Sequence, residues 1–343
     1  MTMSLHEYDP NGPGIKNGHF MGLPFSKEEA KCILFPVPWE VTTSYGAGTA
    51  DGPSNILEAS YQLDLYDPSF PHTWKKGIFM LRPDPQIKNL SDLHRRQAET
   101  IIDHMEAGKP SALLAGSLKK INEASHQLNK YVLQETISIL DQNKKLLLIG
   151  GDHSTPYGYY QAIAQREGNF GLLHLDAHSD LRAAYEDFTH SHASVMYNVM
   201  ENIPEVEKLV QVGVRDLCPA EHQYAANHSD RIRIHHMCDI SRYLYEGRTW
   251  KEYCHHIIDI LPEKVYLSFD IDVLDPSLCP HTGTPVPGGL AYQKAVYLIE
   301  EILQSGRKLI GADLVEVAGR PHEWDGNVGA RIAYKIALLL LES

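Results

Sequence analysis

Short apolar runs recur along the chain and alternate with longer stretches of helical pattern. The runs typical of buried parallel strands are CILFPVPW, KLLLIG, GLLHLD, LVQVGV, IRIHHM, VYLSFDID and LIGADLVEV. Helical patterns such as TPYGYYQAIAQREG and LAYQKAVYLIEEILQSG lie between many of them. Strands that alternate with helices form a mostly parallel sheet covered on both faces. The pattern therefore predicts an α/β fold.

Two segments depart from this alternation. Residues 1–30 are polar and contain several glycines and prolines, which predicts an irregular N-terminal arm. Residues 84–130 are polar with a helical composition, and we interpret them as an insertion of helices that cover the sheet or take part in a subunit contact. The rest, from residue 31 to residue 343, is expected to form a single domain.

Composition narrows the class of protein. The formal charge is −13 and no dense basic block is present, which argues against nucleic-acid binding. No apolar run approaches the ~18 residues of a membrane helix, and the N-terminus lacks a signal-peptide core. The five cysteines are scattered without a CxxC pair, as expected of a reduced, cytoplasmic protein.

Ionisable side chains are concentrated where three of the predicted strands end. His153 follows KLLLIG, Asp176, His178 and Asp180 follow GLLHL, and the third run ends in SFDID with Asp270 and Asp272. In open α/β sheets, ligands bind beyond the carboxyl ends of the strands. The spacing of two would point alternate side chains the same way along an extended backbone. Buried charges of this kind need partners, which could be side chains, a substrate or a metal.

A metal pair fits these six residues best. Four carboxylates at close range repel one another, and divalent cations remove that conflict. A set of oxygen ligands with two imidazoles suits Mn²⁺ and neighbouring first-row metals. Each motif alone is common in turns and helix caps, but three of them after three apolar strands are hard to explain without metal.

These motifs resemble those of a known family. GGDHS, DAHSD and SFDIDVLDPS are similar to the signature motifs of the ureohydrolases, and TGTPVPGGL and DLVEV continue the resemblance in order. The resemblance implies a three-layer α/β/α fold, as in arginase, and a centre of two divalent metal ions, Mn²⁺ or Ni²⁺. It also implies that a hydroxide bridging the metals hydrolyses a guanidino C–N bond, which releases urea.

The resemblance also assigns roles to single residues. One metal would be held by His153, Asp176, Asp180 and Asp270, and the other by Asp176, His178, Asp270 and Asp272. Asp180 would hydrogen-bond the hydroxide, Glu316 would bind the substrate guanidinium, and Thr284 would lie beside that glutamate. His192 of HSHAS matches the proton shuttle, with His190 as second choice.

The substrate is less well defined by the motifs. Arginases carry an acidic residue at the place of Cys218 and an asparagine at the place of Arg182, so recognition of an amino-acid head is not expected. PVPWEVTTSYGAGTADGP instead resembles the agmatinase-type branch. The family resemblance leaves agmatine and free guanidine open as small cationic guanidino substrates. Formiminoglutamase or guanidino-acid hydrolase activity, or a non-catalytic subunit, is an alternative.

Trp324 stands where agmatinases carry a more open motif. We hypothesise that its indole closes the pocket over the substrate, which would favour free guanidine; the alternative is a packing residue. The family resemblance further implies a homo-oligomer, a trimer or a hexamer.

Overall fold

The computed structural model describes residues 7–343 and contains one parallel sheet of eight strands in the order β2-β1-β3-β8-β7-β4-β5-β6. The strands are β1 Cys32–Val37, β2 Ile78–Met80, β3 Lys145–Gly150, β4 Phe170–Leu175, β5 Val206–Val214, β6 Ile232–His236, β7 Lys264–Asp270 and β8 Lys308–Val315. All seven strands predicted from apolar runs are present. The remaining strand, β2, was missed because it is only three residues long and lies at the sheet edge.

Within residues 7–343, ten α-helices surround the sheet and complete the α/β/α layers. They are α1 Gly52–Ser60, α2 Pro85–Glu106, α3 Ala115–Leu140, α4 Tyr157–Glu167, α5 Val195–Asn202, α6 Pro219–Asn227, α7 Met237–Tyr245, α8 Trp250–Ile258, α9 Tyr292–Gln304 and α10 Trp324–Glu342. One group of helices, α1, α9 and α10, packs together against the sheet, and so does another, α3, α4 and α5. The fold class expected from the alternating pattern is confirmed.

The two departing segments have distinct structures. Within the described part of the N-terminal arm, a 3₁₀ turn at Phe20–Gly22 is the regular element, and the side chains of Phe20 and Leu23 are fully buried. Residues 84–130 contain α2 and most of α3, which pack on each other, while α3 also packs on α4 and β3. The division into an arm and one domain with an insertion stays a prediction.

The four central strands of the sheet determine the position of the predicted site residues. β3, β8, β7 and β4 are consecutive neighbours, and their apolar side chains are almost wholly inaccessible to water. Parallel strands end at the same edge, so the residues that follow these four strands are brought together. The buried aliphatic side chains of these strands lie next to this edge, and they keep water away from it on the side of the core.

Two further observations concern the length of the helices and the state of the cysteines. No helix among residues 7–343 has the length and apolar content required to cross a membrane. All five cysteines are free thiols.

Candidate active site

The four central strands deliver one key residue each to the same edge. His153 lies in the turn after β3, Asp176 follows β4, Asp270 ends β7, and Glu316 follows β8. All four are buried. A backbone hydrogen bond from Glu316 N to the carbonyl of Gly151 ties the end of β8 to the turn after β3.

His153 is surrounded by carboxylates. Its Nδ1 lies 3.0 Å from Asp176 Oδ2, 3.1 Å from Asp180 Oδ2 and 3.2 Å from Asp270 Oδ2. Its Nε2 lies 2.9 Å from the hydroxyl of Ser268, which itself donates onward to a buried aspartate. That network assigns the neutral ring's proton to Nε2, so Nδ1 presents a lone pair to three carboxylate oxygens. An imidazole lone pair converging with carboxylates is a ligand set for a divalent cation.

A second ligand group shares Asp176 with the first. His178 Nδ1 lies 3.4 Å from Asp176 Oδ1 and 3.0 Å from Asp272 Oδ2. The ligand atoms of His153, His174, Asp176 and Asp180 form one compact cluster, and those of Asp176, His178 and Asp272 form another. Asp270 belongs to neither cluster, but its Oδ2 lies 3.2 Å from His153 Nδ1. The structure thus brings the six predicted ligands together around two clusters that share Asp176.

The backbone reaches this arrangement differently from the expected extended strand. Asp180 has a left-handed backbone with φ of +53°, and Asp272 lies in a 3₁₀ turn, Ile271–Val273. We expected alternate side chains of an extended strand to point the same way. Since the strands end near Asp176 and Asp270, that expectation is wrong for the ligands that follow them. The side chains converge because the chain turns sharply after each strand, and left-handed backbone at non-glycine residues is a strain that clusters at functional sites.

The crowded carboxylates alter the protonation of the ligands. Burial lowers the pKa of His153, but hydrogen bonds to its three carboxylate neighbours outweigh burial and hold that pKa well above its ordinary value. His178 behaves in the same way, because the carboxylates that it contacts outweigh its burial and raise its pKa. Burial and the charge of Asp176 raise the pKa of Asp180 to about 6. Protons and a metal cation would therefore compete for these ligands.

An outer layer of polar side chains fixes the ligands, and the sequence motifs did not reveal it. His174 is fully buried, contacts Asp176 Oδ2 through Nε2 at 2.9 Å, and contacts Gln211 through Nδ1. Ser268 bridges the ring of His153 to Asp313. A polar residue inside an otherwise apolar strand is the signal that could have found His174, Gln211 and Ser268. Such contacts orient metal ligands and set their tautomers.

The ligands form the floor of a cavity of about 290 Å³. Of the predicted substrate-binding residues, Thr284, His192 and Glu316 line this cavity. Trp324 does not line it: this residue begins α10 and its side chain is 51% exposed. The hypothesised indole lid is therefore not formed in this structure, because the first turn of α10 leaves the ring facing solvent.

Glu316 has one carboxylate oxygen available. Its Oε1 accepts a hydrogen bond from the backbone N–H of His153 at 2.9 Å, whereas its buried Oε2 has no partner among the described residues. The backbone of Glu316 is left-handed, with φ of +61°. Gly283 permits this close approach, since a Cβ there would lie 2.9 Å from Oε2. Burial and the charge of Asp152 raise the pKa of Glu316 well above its ordinary value.

The structure separates the two histidines of HSHAS. The ring of His192 lines the cavity, with its Nδ1 3.2 Å from Thr42 Oγ1. Burial, followed by the nearby imidazoles of the metal centre, lowers the pKa of His192 to about 3. His190 instead stacks against His126, with ring centroids 6.3 Å apart, in a separate groove beside α3.

The cavity mouth contains residues that were not singled out as binding groups. Tyr185 and Asp216 line the cavity, and Glu221 accepts hydrogen bonds from Ser179 Oγ and from the backbone of Leu181. Arg182 also lines the cavity and lies over the Tyr185 ring, 4.8 Å from its centroid. These residues were missed because they have no distinctive spacing in the sequence.

Comparison with known proteins identifies the family of this chain. The arginase family model matches residues 30–341. The chain belongs to the arginase family. It is 32% identical over 296 residues to the N(1)-aminopropylagmatine ureohydrolase of Thermus thermophilus, a match covering 85% of this chain and 84% of that protein. It is 30% identical over 295 residues to the agmatinase of Bacillus subtilis, with 85% and 84% covered.

Solved structures agree on the fold of this arginase-family chain. A hypothetical agmatinase from Burkholderia thailandensis has a TM-score of 0.72 at 23% identity, covering 96% of this chain and 92% of that one. Proclavaminate amidino hydrolase from Streptomyces clavuligerus has a TM-score of 0.72 at 21% identity, covering 96% and 99%. Family membership makes the protein a metal-dependent amidinohydrolase, as the motifs implied.

The ligand geometry leads to a prediction about metal content. Asp176 is shared by both ligand groups, so Asp176→Ala is expected to lose at least one metal per chain, and Asp270→Ala likewise. Elemental analysis after dialysis measures this directly, with Asp216→Ala as a control at the cavity mouth. Two metals retained per chain in both ligand variants would contradict the assignment.

The raised pKa values predict that metal affinity depends on pH. Protons on His153, His178 and Asp180 compete with the cation, so binding should release protons and weaken as pH falls. Competition should begin above pH 6.5, since the pKa values of both histidines are raised well above that ordinary value, and it should increase through about 6 as Asp180 is protonated. Calorimetric titration of metal-free protein with Mn²⁺ at several pH values, in buffers of different ionisation enthalpy, measures both effects. Circular dichroism at each pH provides the folding control. An affinity that does not change across pH 6 would refute this prediction.

Proposed function

We propose that this protein hydrolyses the terminal guanidino group of agmatine or a similar guanidino-alkylamine and releases urea. The observation that carries the proposal is the Oε2 atom of Glu316, which is buried, has no partner among the described residues and belongs to a residue lining the cavity beside the ligand cluster. A buried carboxylate with a free oxygen is a binding group for a planar cation.

Two divalent ions, Mn²⁺ or Ni²⁺, are proposed as cofactors. His153, Asp176, Asp180 and Asp270 would hold one ion, and Asp176, His178, Asp270 and Asp272 the other. The Nδ1 of His153 and the three carboxylate oxygens that face it fit such ions. When bound, the ions supply Lewis acidity and lower the pKa of water, which provides a nucleophile near neutral pH.

Glu316 is proposed to orient the guanidinium. Its Oε1 is already held by the backbone N–H of His153, so the carboxylate is fixed with Oε2 free. Burial and the charge of Asp152 raise the pKa of Glu316, since its ionised form has no counter-ion among the described residues. A bound guanidinium would supply that counter-ion, and Thr284 lines the same wall.

His192 is proposed to transfer a proton to the leaving amine. Its ring lines the cavity, and its Nδ1 is occupied by Thr42 Oγ1. The other ring nitrogen, Nε2, is the one available to a substrate. Positioned imidazoles are the commonest general acid–base groups in enzymes.

The cavity mouth favours a substrate with a cationic tail. The side chain of Tyr45, on the cavity wall, is 83% exposed, so the mouth is open to solvent on that side. The carboxylate of Asp216, also on the wall, has no ion pair with any residue in the range 7–343. We infer that it receives the ammonium of agmatine or of a longer polyamine tail. The names of the relatives from Thermus thermophilus and Bacillus subtilis support this inference.

Free guanidine is the second candidate substrate. It depended on Trp324 closing the pocket, and that indole lies outside the cavity. A trimer or hexamer in which a second subunit covers this face is a further proposal that would revive it.

A substrate panel tests the proposal. Urea release is measured for agmatine, aminopropylagmatine, guanidine, arginine, guanidinobutyrate and formiminoglutamate with Mn²⁺- and Ni²⁺-loaded protein. Agmatine-type compounds should give the highest kcat/KM, and Trp324→Ala should leave the ratio of guanidine to agmatine unchanged. Glu316→Gln should lower kcat/KM on the order of 30- to 4000-fold, as loss of a buried charge pair of about 2–5 kcal/mol would do. Metal binding without hydrolysis of any compound would indicate a non-catalytic subunit.

The two histidines of HSHAS offer a matched pair of variants. His192→Asn should bind metal normally but lower kcat by ~10²–10⁴-fold, the usual contribution of a general acid–base group. His190→Asn should retain turnover, because its ring lies in the groove beside α3. Steady-state kinetics and elemental analysis measure the two properties separately. A loss confined to His190→Asn would show that the wrong histidine was chosen.

A further inference from the structure

Asp180 reaches the ligand cluster from an unfavourable backbone conformation. Its φ of +53° lies in the left-handed region, although the residue is not a glycine. From this conformation its Oδ2 lies 3.1 Å from Nδ1 of His153. Left-handed backbone at such a residue persists only where the surrounding contacts enforce it. The contacts on either side of Asp180 therefore decide whether this carboxylate is in place.

A single carboxylate oxygen binds both neighbours of Asp180. Oε1 of Glu221 accepts a hydrogen bond from the hydroxyl of Ser179 at 2.8 Å and from the backbone N–H of Leu181 at 3.1 Å. Ser179 precedes Asp180 and Leu181 follows it, so one atom closes the turn around the ligand. All three contacting residues are buried, so the loss of either bond would leave a polar group without a partner.

The peptide group that joins Asp180 to Leu181 is held at both ends. Its carbonyl accepts the backbone N–H of Tyr197, on α5, at 3.1 Å, and its N–H donates to Glu221. The carbonyl of the preceding peptide group, that of Ser179, accepts from a buried glutamine side chain at 2.7 Å. Peptide groups are planar, so the orientation of these two groups sets φ and ψ of Asp180. Removal of Glu221 would release one end of this arrangement and let Asp180 leave the left-handed region.

Glu221 is itself fixed at the start of α6. It is the third residue of that helix, and its Oε2 accepts the backbone N–H of Cys218 at 2.8 Å. The Nε atom of Arg182 lies 3.5 Å from the same oxygen. A carboxylate in the first turn of a helix is also stabilised by the helix dipole. Both oxygens are thus engaged by groups of the chain, which favours a supporting role over direct contact with a substrate.

We propose that Glu221 is a positioning residue for the metal centre, because it holds Asp180 in the conformation from which its carboxylate joins the ligand cluster. This inference rests on the proposed function, in which Asp180 is a ligand of one metal ion. Asp180 is assigned to a single ion, whereas Asp176 and Asp270 are assigned to both. Loss of Glu221 should therefore weaken the binding of one ion and leave the other nearly unchanged.

Four variants isolate this role. Glu221→Ala removes both oxygens, whereas Glu221→Gln loses the charge but keeps one oxygen that can accept from Ser179 and Leu181. Ser179→Ala removes one of the two hydrogen bonds and leaves Glu221 intact, so it tests the same role if Glu221→Ala does not fold. Glu252→Ala is the matched control, because Glu252 is also the third residue of a helix, α8, and accepts the backbone N–H of Thr249 at 2.8 Å.

Metal binding is measured without turnover. Calorimetric titration of metal-free protein with Mn²⁺ follows the two binding steps, and Asp180→Ala identifies the step that needs Asp180. Glu221→Ala should lower the affinity of that step about 10- to 100-fold, the usual cost of losing a group that orients a metal ligand. Ser179→Ala should give a smaller loss in the same step, Glu221→Gln should recover most of the affinity, and Glu252→Ala should match wild type.

A double variant tests whether Glu221 acts through Asp180. In the Asp180→Ala background, Glu221→Ala should weaken metal binding no further, because the ligand that it positions is already gone. An additive loss in the double variant, an equal loss in both binding steps, or wild-type affinities in Glu221→Ala would overturn the proposal. If Asp180→Ala itself leaves both steps unchanged, the proposed ligand set fails and this inference fails with it.

Kinetics separate positioning from substrate binding. At saturating Mn²⁺, KM for agmatine should stay close to the wild-type value in Glu221→Ala and in Glu221→Gln. A group that received the ammonium of the substrate would instead raise KM in both variants while metal affinities stayed at the wild-type level, and that result would contradict the positioning role. If no guanidino compound is hydrolysed even by wild type, the proposed substrate fails, while the titrations still decide the role of Glu221.

Discussion

Four carboxylates and two imidazoles crowded at one sheet edge require cations, and much of the local structure follows from that requirement. The closest contacts centre on Nδ1 of His153, with three carboxylate oxygens at 3.0–3.2 Å. An isolated buried charge is strongly unfavourable, and like charges at this range add to the cost. The raised pKa values of His153 and Asp180 reflect the same crowding, because a proton on either group lowers the repulsion between the carboxylates. A divalent cation would lower that repulsion further.

The rest of the cavity depends on how rigidly this edge is held. β3, β8, β7 and β4 lie side by side with buried apolar side chains, so their ends are fixed by the core. Backbone strain occurs at this edge of the sheet, because Asp180 and Glu316 have left-handed backbones. Hydrogen bonds from Glu316 N to Gly151 O and from Thr282 Oγ1 to Glu316 O hold the second of these in place. Left-handed backbone of this kind persists only where surrounding contacts enforce it.

The sequence could predict what is encoded locally. Each apolar run and its acidic ending lie within about ten residues, so the sequence could predict seven strands and the six candidate ligands. Sheet order and the contact of Thr42 with His192 join segments far apart in the chain, 150 residues for that contact, and no local spacing records them. The indole lid expected of Trp324 is not formed in this structure, because a motif gives the position of a residue in the chain but not the direction of its side chain.

Two histidines line the same cavity, and their neighbours shift their pKa values in opposite directions. Hydrogen bonds to carboxylates outweigh burial and hold the pKa of His153 well above its ordinary value, whereas burial, followed by the charges of His178 and His153, lowers the pKa of His192 to about 3. Environments that separate the pKa values of neighbouring groups assign them different roles. His153 would exchange its proton for a metal ion. In its proposed role, the neutral ring of His192 would take up a proton through an unprotonated ring nitrogen and pass it to the leaving amine.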